Sequence, residues 1–447
     1  MSEKLDIVNE ISKELIYIRR YVRDIPYSLI VAFYDTFKDK PIDEQKELQK
    51  RLYDMYNLST DQSLLNLEIS LKGYAEIIFK PESYMIDQSG RVMLFTKGGV
   101  ALIGSVDLFG NTRRDIENVI GEWMYVEVSH GKPFIEIPNA TIEYVEPLTP
   151  KVDRDRAIEL LDRYGVTPFE LFLISQGYKP TKEVKRLFLP RILSLFYYDG
   201  LPIHTFQLSQ PETGKSHFAI RCEFAFNFTH FTEFPSPARL IFDGRLGAKG
   251  AVFTSNGIII DEIDKLDKVN FKKAYQSLNT GLENGVWRRG VQTQHCIALE
   301  GYRFLPFILF GNVSNQLIDI YTQTNNNREA VTMLMQELTG MNVNSFVERF
   351  AITDIILNRI PITRYLIRND RGIVGFLPDS VLRGLVEIVE DSIRYEYVEE
   401  DEGCVGRLRR HAEAVYNVMK ALTYEEPDVS VVRSVVTGKS DVISLIV

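Results

Sequence analysis

The chain has 447 residues, of which 45% are hydrophobic and 25% charged, and its formal net charge is −9. This length predicts two to four domains with apolar cores. The negative charge excludes a protein coated in positive charge, although a local basic channel for nucleic acid stays compatible with it. The three cysteines match no metal or redox spacing, so we expect reduced thiols at Cys222, Cys296 and Cys404. Because no leader and no apolar run of about 18 residues stands out, we expect a cytoplasmic protein that binds no membrane.

Residues 1–150 predict a helical and β-rich N-terminal domain. Apolar residues at helical spacing predict a long amphipathic helix at 5–22, which Pro26 interrupts. Alternating apolar runs then predict the strands of a small barrel or sandwich at 67–71, 75–79, 91–96, 100–106 and 123–128. Aromatic side chains of such a domain can stack on nucleic-acid bases, so DNA binding is one open role. Aromatic area more often fills a core, and we favour the core for Tyr74, Phe79, Phe95 and Trp123.

A linker predicted at 147–153 leads into a second unit, 151–370, which contains Ser-Gln-Pro-Glu-Thr-Gly-Lys-Ser at 209–216. Between an extended apolar run and a predicted helix, this pattern indicates a loop whose backbone amides hold the β-phosphate of a nucleoside triphosphate. Lys215 would neutralise the β and γ oxygens, and the Ser216 hydroxyl would join the coordination of Mg2+. The rest of the ATP-binding loop consists of Pro211, Glu212, Thr213 and Gly214. Ser209 replaces the first glycine of the usual pattern, so the entry turn lacks a residue tolerant of positive φ.

A β-branched run at 257–262 ends in two adjacent acids, Asp261 and Glu262. Such a run is typical of a fully buried parallel strand, whose carboxyl end emerges at the sheet edge where ligands of open α/β folds bind. We expect Asp261 to hold Mg2+ through water and Glu262 to polarise the water that attacks the γ-phosphate. A core strand that happens to end in acids is the alternative, and it explains the strand alone better than the strand together with the loop.

A third apolar run, 307–312, ends at Asn312, and Asn315 follows shortly after. An amide at a strand tip can hydrogen-bond both phosphate and attacking water, so we predict a γ-phosphate sensor here. Asn312 is favoured over Asn315 because it directly ends the run. A simple turn remains the alternative, since Gly-Asn pairs are turn-prone.

Two basic segments accompany these strands. Residues 285–307 predict a β-hairpin that carries Arg288 and Arg289, and the glycine-rich loop 244–250 carries Arg245 and Lys249. For that loop, a plain surface hairpin is an equally open alternative.

Farther along, the sequence predicts a helix or turn-helix at 343–358, a helical lid at 371–425, and a tail at 426–447 that adds a strand or stays partly free.

Together these segments resemble the AAA+ ATPases, and within them the pre-sensor-hairpin group of Lon-like proteins, MCM helicases and BrxL proteins of BREX phage defence. The likeness to BrxL is the strongest and covers 169–421. Besides the loop and the acidic strand, the likeness depends on short motifs at 172–178, 189–191, 289–290, 311–312, 346–350 and 375–379. The fold class that follows is α/β, an AAA+ P-loop nucleotide-binding domain with a helical lid, preceded by the helical and β-rich N-terminal domain.

The resemblance implies a homo-oligomeric ring, a hexamer or a stacked double ring, in which an arginine of the neighbour completes each catalytic pocket. We assign this role to Arg349, with a salt bridge to Glu348 or an adjacent acid as the structural alternative. The lid would supply a further arginine in cis to ATP, Arg409 before Arg407. The hairpin of this branch points into a central pore, so DNA would meet Arg288 and Arg289, with Arg245 and Lys249 as a second contact. A competing placement puts Arg289 at the subunit interface.

The implied function is an ATPase that uses ATP and Mg2+ for binding, translocation or remodelling of DNA, with a role in phage defence as a further implication. The rival is a Lon-like protein unfoldase, in which Trp287 and Tyr302 grip peptide. Because only about two dozen residues follow Leu422, fewer than the ~100 or more of a Ser-Lys peptidase domain, we expect no proteolysis. A third class, a nucleotide-gated scaffold with negligible turnover, is disfavoured by Glu262.

Overall fold

The structure is a computed structural model, and it shows a mixed α/β protein with a parallel sheet. It describes residues 8–17, 19–20, 25, 27–33, 40–86, 89–96, 100–110, 116, 119–120, 122–130, 140–147, 152–243, 248–290, 298–396, 398 and 404–446. Within these residues no helix is long and apolar enough to span a bilayer.

The described residues of the N-terminal domain form a mixed six-stranded sheet and three α-helices, two of which pack on the sheet. The helices are α1 (Tyr27–Ala32), α2 (Ile42–Leu58) and α3 (Gln62–Lys72). The strands are β1 (Tyr74–Phe79), β2 (Ser83–Ile86), β3 (Arg91–Phe95), β4 (Ala101–Ser105), β5 (Met124–His130) and β6 (Ala140–Pro147). Their order is β1-β5-β6-β4-β3-β2, and only β4 and β6 run parallel. The predicted barrel or sandwich is therefore wrong for the described residues, because one sheet is covered by α2 and α3.

Two local predictions for this domain also fail. The stretch 67–71 belongs to α3, because the Asp61 side chain caps that helix by accepting from the N–H groups of Ser63 and Leu64. The predicted long helix at 5–22 is not formed by the residues described there. The chain passes through a 3-10 turn at Ser12–Glu14 and is extended at Leu15. The other four predicted strands are present.

The second unit is built on a five-stranded parallel sheet. Its strands are β9 (Thr205–Ser209), β10 (Phe228–Phe231), β13 (Gly257–Ile260), β16 (Phe307–Asn312) and β17 (Ile352–Ile356), in the order β10-β13-β16-β9-β17. Alternate residues of β13 pack into different cores, Ile259 on one face of the sheet and Ile258 and Ile260 on the other. Because all five strands are parallel, the carboxyl ends of β9, β13 and β16 lie at one edge.

Helices cover both faces of this sheet, and short two-stranded ribbons project from it. The helices are α4 (Arg154–Tyr164), α5 (Pro168–Ser175), α6 (Lys182–Leu193), α7 (Lys215–Ala225), α8 (Pro237–Leu240), α9 (Ala251–Thr254), α10 (Lys268–Asn284), α11 (Asn315–Thr324), α12 (Asn327–Thr339), α13 (Asn344–Val347), α14 (Asp379–Ser392), α15 (Arg407–Thr423) and α16 (Val429–Val436). The ribbons pair β7 (Tyr197–Tyr198) with β8 (Leu201–Pro202), β11 (Phe242–Asp243) with β12 (Ala248–Lys249), and β14 (Val286–Gly290) with β15 (Ala298–Tyr302).

Two predictions for the C-terminal third require correction. The stretch 343–358 holds only the short helix α13 before it enters the buried strand β17. The tail adds no strand: it forms α16, which packs on α15. The backbone oxygen of Val436 in α16 accepts hydrogen bonds from the buried guanidinium of Arg328.

The N-terminal domain packs directly on the second unit. Trp123 stacks on Phe224 of α7, with ring centroids 4.5 Å apart and planes at 3°. The ammonium group of Lys80 donates to the backbone oxygen of Phe228 at 3.0 Å. The core role favoured for the four aromatic residues is confirmed for Phe79, which is fully buried, and is wrong for Tyr74, which is exposed. The stacking on Phe224 shows that Trp123 contributes to the contact between the two units, in line with the packing role favoured for it.

Candidate active site

The loop at 209–216 joins β9 to α7, and Lys215 lies at its centre. The Lys215 ammonium group folds back onto the loop, where it donates to the backbone oxygen of Ser209 at 3.0 Å and of Gln210 at 3.4 Å. It also donates to Asn312 Oδ1 at 3.0 Å. The structure therefore brings together the predicted phosphate-binding lysine and the predicted sensor, which come from different strands.

The backbone of the loop explains why the first glycine is dispensable. The left-handed positions are Glu212, with φ of 67°, and Gly214, with φ of 78°. Ser209 does not adopt positive φ, and its hydroxyl lies 2.8 Å from Thr213 Oγ1, so it closes the base of the loop. The strain that glycine usually relieves falls instead on Glu212.

Ser216 and Asp261 form a pair of oxygen ligands beside the loop. The Ser216 hydroxyl donates to Asp261 Oδ2 at 2.9 Å, and Asp261 is only 6% exposed. A hydroxyl and a carboxylate are hard oxygen donors of the kind that Mg2+ prefers. The residues at this position thus fit the metal that the sequence predicts.

Glu262 has a strained backbone next to this pair. Its φ is 53°, a left-handed conformation that is uncommon for residues other than glycine. Its carboxylate forms an exposed ion pair with Lys265 at 3.0 Å rather than a contact inside the loop. The side chain therefore lies at the carboxyl-end edge of the sheet, where it is paired with Lys265.

Asn312 ends β16 as predicted. Its N–H donates to Asp264 Oδ1 at 2.8 Å, while its Oδ1 accepts from Lys215, which orients the side-chain amide. Asn315 is instead the first residue of α11. The geometry agrees with the preference for Asn312.

Arg191 is a member of this site that the sequence analysis included only as part of a family motif. It is fully buried in α6, donates to the Thr213 backbone oxygen at 3.0 Å and to Gln207 Oε1 at 2.8 Å, and so supports the loop from beneath. Burial lowers the pKa of Arg191 to about 10. Burial also lowers the pKa of Lys215 to about 8, with the Arg191 charge as a further cause.

An aromatic wall flanks Gly214, and no sequence pattern indicated it. Tyr178 and His217 meet edge to face with centroids 5.8 Å apart, and His217 stacks on Phe376 at 6.1 Å. Burial lowers the pKa of His217 to about 4, so the imidazole is neutral at physiological pH. These rings come from three segments far apart in the chain, which is why spacing alone could not reveal the wall.

The arginine predicted to act on a neighbouring copy and the two predicted in the lid lie together, at the end of the sheet opposite the loop. Arg349, Arg407 and Arg409 line one pocket with His204, which precedes β9. Because β9 has five residues, about 16 Å of strand separates this pocket from the phosphate loop. The structure therefore does not bring Arg409 and Arg407 to the loop where ATP is predicted to bind: α15 docks so that both lie at the amino ends of the strands.

Glu283 joins two of these arginines. It accepts from Arg349 at 2.7 Å and also from Arg407, which reaches Glu348 at 3.4 Å as well. Arg349 is only 7% exposed, and its Nη1 has no hydrogen-bond partner among the described residues. The salt-bridge alternative for Arg349 is thus realised in part, with Glu283 rather than Glu348 as its partner.

The hairpin predicted at 285–307 is present as the β14–β15 ribbon. Arg288 forms an exposed ion pair with Glu300 at 2.8 Å, and Arg289 donates to the backbone oxygen of Phe242. Trp287 is fully buried and stacks on Phe307, so it cannot grip peptide as the rival hypothesis requires. The outer residues of the two basic segments are only partly described. Lys249 lies in β12, whereas Arg245 and the hairpin tip at 291–297 lie outside the described residues.

Cys222 and Cys404, the two cysteines in the described part of the chain, are buried and form no disulfide there, as expected. Burial raises the pKa of the Cys222 thiol well above its ordinary value. Cys296 lies outside the described residues.

No protein-family model matches the chain, but proteins of several viruses are similar to it over most of its length. An uncharacterized protein, ORF425, of Acidianus filamentous virus 2 is 27% identical over 90% of this chain and 92% of its own length. An uncharacterized protein, 440, of Sulfolobus islandicus rod-shaped virus 1 is 27% identical over 79% of this chain and 78% of its own. ORF426 of Acidianus filamentous virus 1 is 26% identical, with 82% and 86% covered. None of these names states an activity.

Proposed function

We propose that the protein is an ATPase of the AAA+ type that acts on DNA. The observation that carries this proposal is the meeting of four predicted residues at the carboxyl ends of three parallel strands. Ser209 and Asn312 hold the Lys215 ammonium group, and Asp261 accepts from Ser216 in the first turn of the next helix. A lysine, a hydroxyl, a carboxylate and an amide in this arrangement match the chemistry of phosphoryl transfer.

Each residue has a defined task in this proposal. Lys215 exchanges its loop contacts for the β- and γ-phosphate oxygens, and backbone amides of the loop surround the β-phosphate. Ser216 and Asp261 would hold Mg2+, which would neutralise charge at the same oxygens. Asn312 keeps its Oδ1 on Lys215 and can donate through Nδ2 to the γ-phosphate or to the attacking water. Glu262 orients that water, whose oxygen bonds to the γ-phosphorus as the bond to ADP breaks.

The arginine pocket supports assembly into a ring. Arg349, Arg407 and Arg409 lie too far from their own phosphate loop to touch the same ATP, yet they line one pocket with an unpartnered, buried Nη1 on Arg349. A pocket of this kind suits the γ-phosphate of a neighbouring copy, where an arginine supplied in trans stabilises the transition state. Glu283 holds two of these guanidinium groups until that contact forms.

DNA is favoured over unfolded protein as the polymer because of the hairpin. Lys273, Arg288 and Arg289 line one open cleft between α10 and β14, and cations of this kind bind phosphate backbones. The N-terminal domain is a poorer platform: residues 1–150 contain 17 Lys and Arg against 24 Asp and Glu, a net charge of −7. The similar proteins are encoded by viruses and do not support a role in phage defence, which stays a prediction. A cytoplasmic location also stays a prediction.

The test is release of phosphate from ATP with Mg2+, with DNA or an unfolded polypeptide added. We expect DNA to stimulate the rate and Glu262→Gln to retain bound ATP while turnover falls by at least about 10²-fold. Asp267→Asn, at an exposed helix cap, is the matched control and should leave turnover unchanged. Stimulation by unfolded polypeptide alone would favour the remodeller, and full turnover in Glu262→Gln would contradict the role given to this carboxylate.

A further inference from the structure

The segment after β17 covers the phosphate loop of its own chain. The Arg359 guanidinium donates to Glu212 Oε2 at 2.8 Å. Three residues later, the Ile362 N–H donates to the backbone oxygen of Glu212 at 3.0 Å. A Cβ added at Gly214 would lie 3.4 Å from Ile362 Cγ2, so the same segment touches both left-handed positions of the loop. Arg359 is therefore held beside the site where the triphosphate would bind, and it comes from a part of the sequence that no motif singled out.

We propose that Arg359 is a phosphate-binding residue that acts in cis, and that Glu212 holds it until a nucleotide enters. This inference rests on the proposed nucleotide site and adds a residue to it. The Arg359 and Glu212 side chains are 69% and 54% exposed, and an ion pair so exposed contributes little to stability. A guanidinium can instead form two parallel, charge-assisted hydrogen bonds with phosphate oxygens, which are stronger. The exchange of one partner for the other is therefore favourable.

The other arginines considered for the site lie where they do not provide a phosphate contact in cis. Arg407 and Arg409, the residues expected to contact ATP in cis, line the pocket at the opposite edge of the sheet. Arg191 is buried beneath the loop, where it is bound to the Thr213 and Gln207 oxygens. Glu212, in contrast, places a carboxylate on the loop itself, and that charge would repel a triphosphate unless a cation balances it. Arg359 neutralises Glu212 in the free protein and is positioned to move to the phosphates.

Two explanations of Arg359 must be separated: direct contact with phosphate, and mere neutralisation of Glu212. Equilibrium affinity for ATP is measured for the wild-type chain, Arg359→Gln, Glu212→Gln and the double variant. Arg371→Gln is the matched control, because this arginine is exposed in the turn that ends at Gly372. All of these positions are at the surface, and circular dichroism verifies that each variant is folded.

We expect Arg359→Gln to weaken ATP binding about tenfold, Glu212→Gln to tighten it, and Arg371→Gln to leave it unchanged. The decisive comparison is made in the Glu212→Gln background. There, Arg359→Gln should still weaken binding about tenfold if the guanidinium contacts phosphate. An Arg359→Gln substitution without effect in that background overturns the inference and leaves the proposed function intact. A wild-type chain without affinity for ATP overturns the proposed function first, so the two failures are distinguishable.

Discussion

At the scale of single residues, the chemistry of the site depends on the charge of Lys215. Lys215 is only 7% exposed, its ammonium group contacts backbone and amide oxygens, and burial lowers the pKa of Lys215 to about 8. The positive charge of Arg191 beneath the loop acts in the same direction. A bound triphosphate brings several negative charges to the ammonium group, so the pKa of Lys215 is higher with ATP than without it.

This difference predicts a pH dependence of ATP binding. Below about pH 8 the lysine is already protonated and the affinity does not depend on its titration. As the pH rises through about 8, binding must take up a proton, so the affinity falls by up to about tenfold per pH unit. Titrations from pH 7 to 9.5 measure the effect. Lys215→Arg keeps its charge throughout and is the control. An affinity of the wild-type chain that stays constant across this range would contradict the account.

Residue motifs in the sequence singled out the residues at the strand ends, and they did not reveal the residues that reach the loop from other parts of the fold. Lys215, Ser216 and Asp261 depend on strand-end geometry, which is dictated by local sequence once the strands are parallel. The predicted position of the lid arginines beside the loop was not found, because that position depends on how α15 packs. No local pattern in the sequence encodes the direction in which Arg407 and Arg409 face. Arg359 and the aromatic wall were missed for the same reason, since each meets the loop through tertiary packing.

At the scale of elements, a buried ion pair connects α7, which begins at the phosphate loop, with α14 of the lid. Arg221 of α7 contacts Asp379 of α14 at 2.7 Å, and both side chains are 1% exposed. The Arg221 guanidinium also donates to the backbone oxygen of Leu377 at 2.9 Å. Displacement of α7 on nucleotide binding would therefore be transmitted directly to the first turn of the lid helix.

Asp379→Asn removes one charge of this pair and leaves the other buried. We expect a loss of about 3–5 kcal/mol in the free energy of unfolding, because an uncompensated buried charge is costly. Asp391→Asn, which breaks the exposed pair between α14 and Arg154, should cost less than about 1 kcal/mol. Urea unfolding compares the two variants. Equal stability losses would show that the buried pair has no special role.

Prediction at the level of elements succeeded where a buried run was long and failed where a cap or a partner decided the outcome. The strands β13 and β16 were predicted because continuous apolar runs are typical of parallel strands. The stretch 67–71 alternates like a strand, yet Asp61 starts a helix before it. The tail became α16 because Asp428 caps it, accepting from the N–H groups of Ser430 and Val431, and because its valines pack in the core.

At the scale of the whole molecule, the two halves of the proposed catalytic machinery lie at opposite edges of one sheet. The phosphate loop is at the carboxyl ends of the strands, and the arginine pocket is at their amino ends. In the proposed ring, the pocket of one copy would lie against the loop of the next, and the same contact would complete every site.

This arrangement predicts that two inactive chains restore each other. Arg349→Ala should bind ATP but lose turnover by about 10³-fold or more, and Lys215→Ala should lose turnover because its loop fails. In a mixture, the intact arginines of Lys215→Ala can serve the intact loop of Arg349→Ala. We expect phosphate release above the sum of the separate rates. A mixture that co-assembles in gel filtration without any gain would show that the pocket does not act in trans.

The most direct test of the central claim, that a triphosphate binds where β9, β13 and β16 end, is the equilibrium affinity for Mg-ATP of the wild-type chain and of Lys215→Ala. Lys268→Ala is the matched control, because this lysine is exposed at the start of α10. We predict that the wild-type chain and Lys268→Ala bind ATP equally well and that Lys215→Ala loses binding. An unchanged affinity in Lys215→Ala, or a wild-type chain that does not bind ATP, would contradict the account.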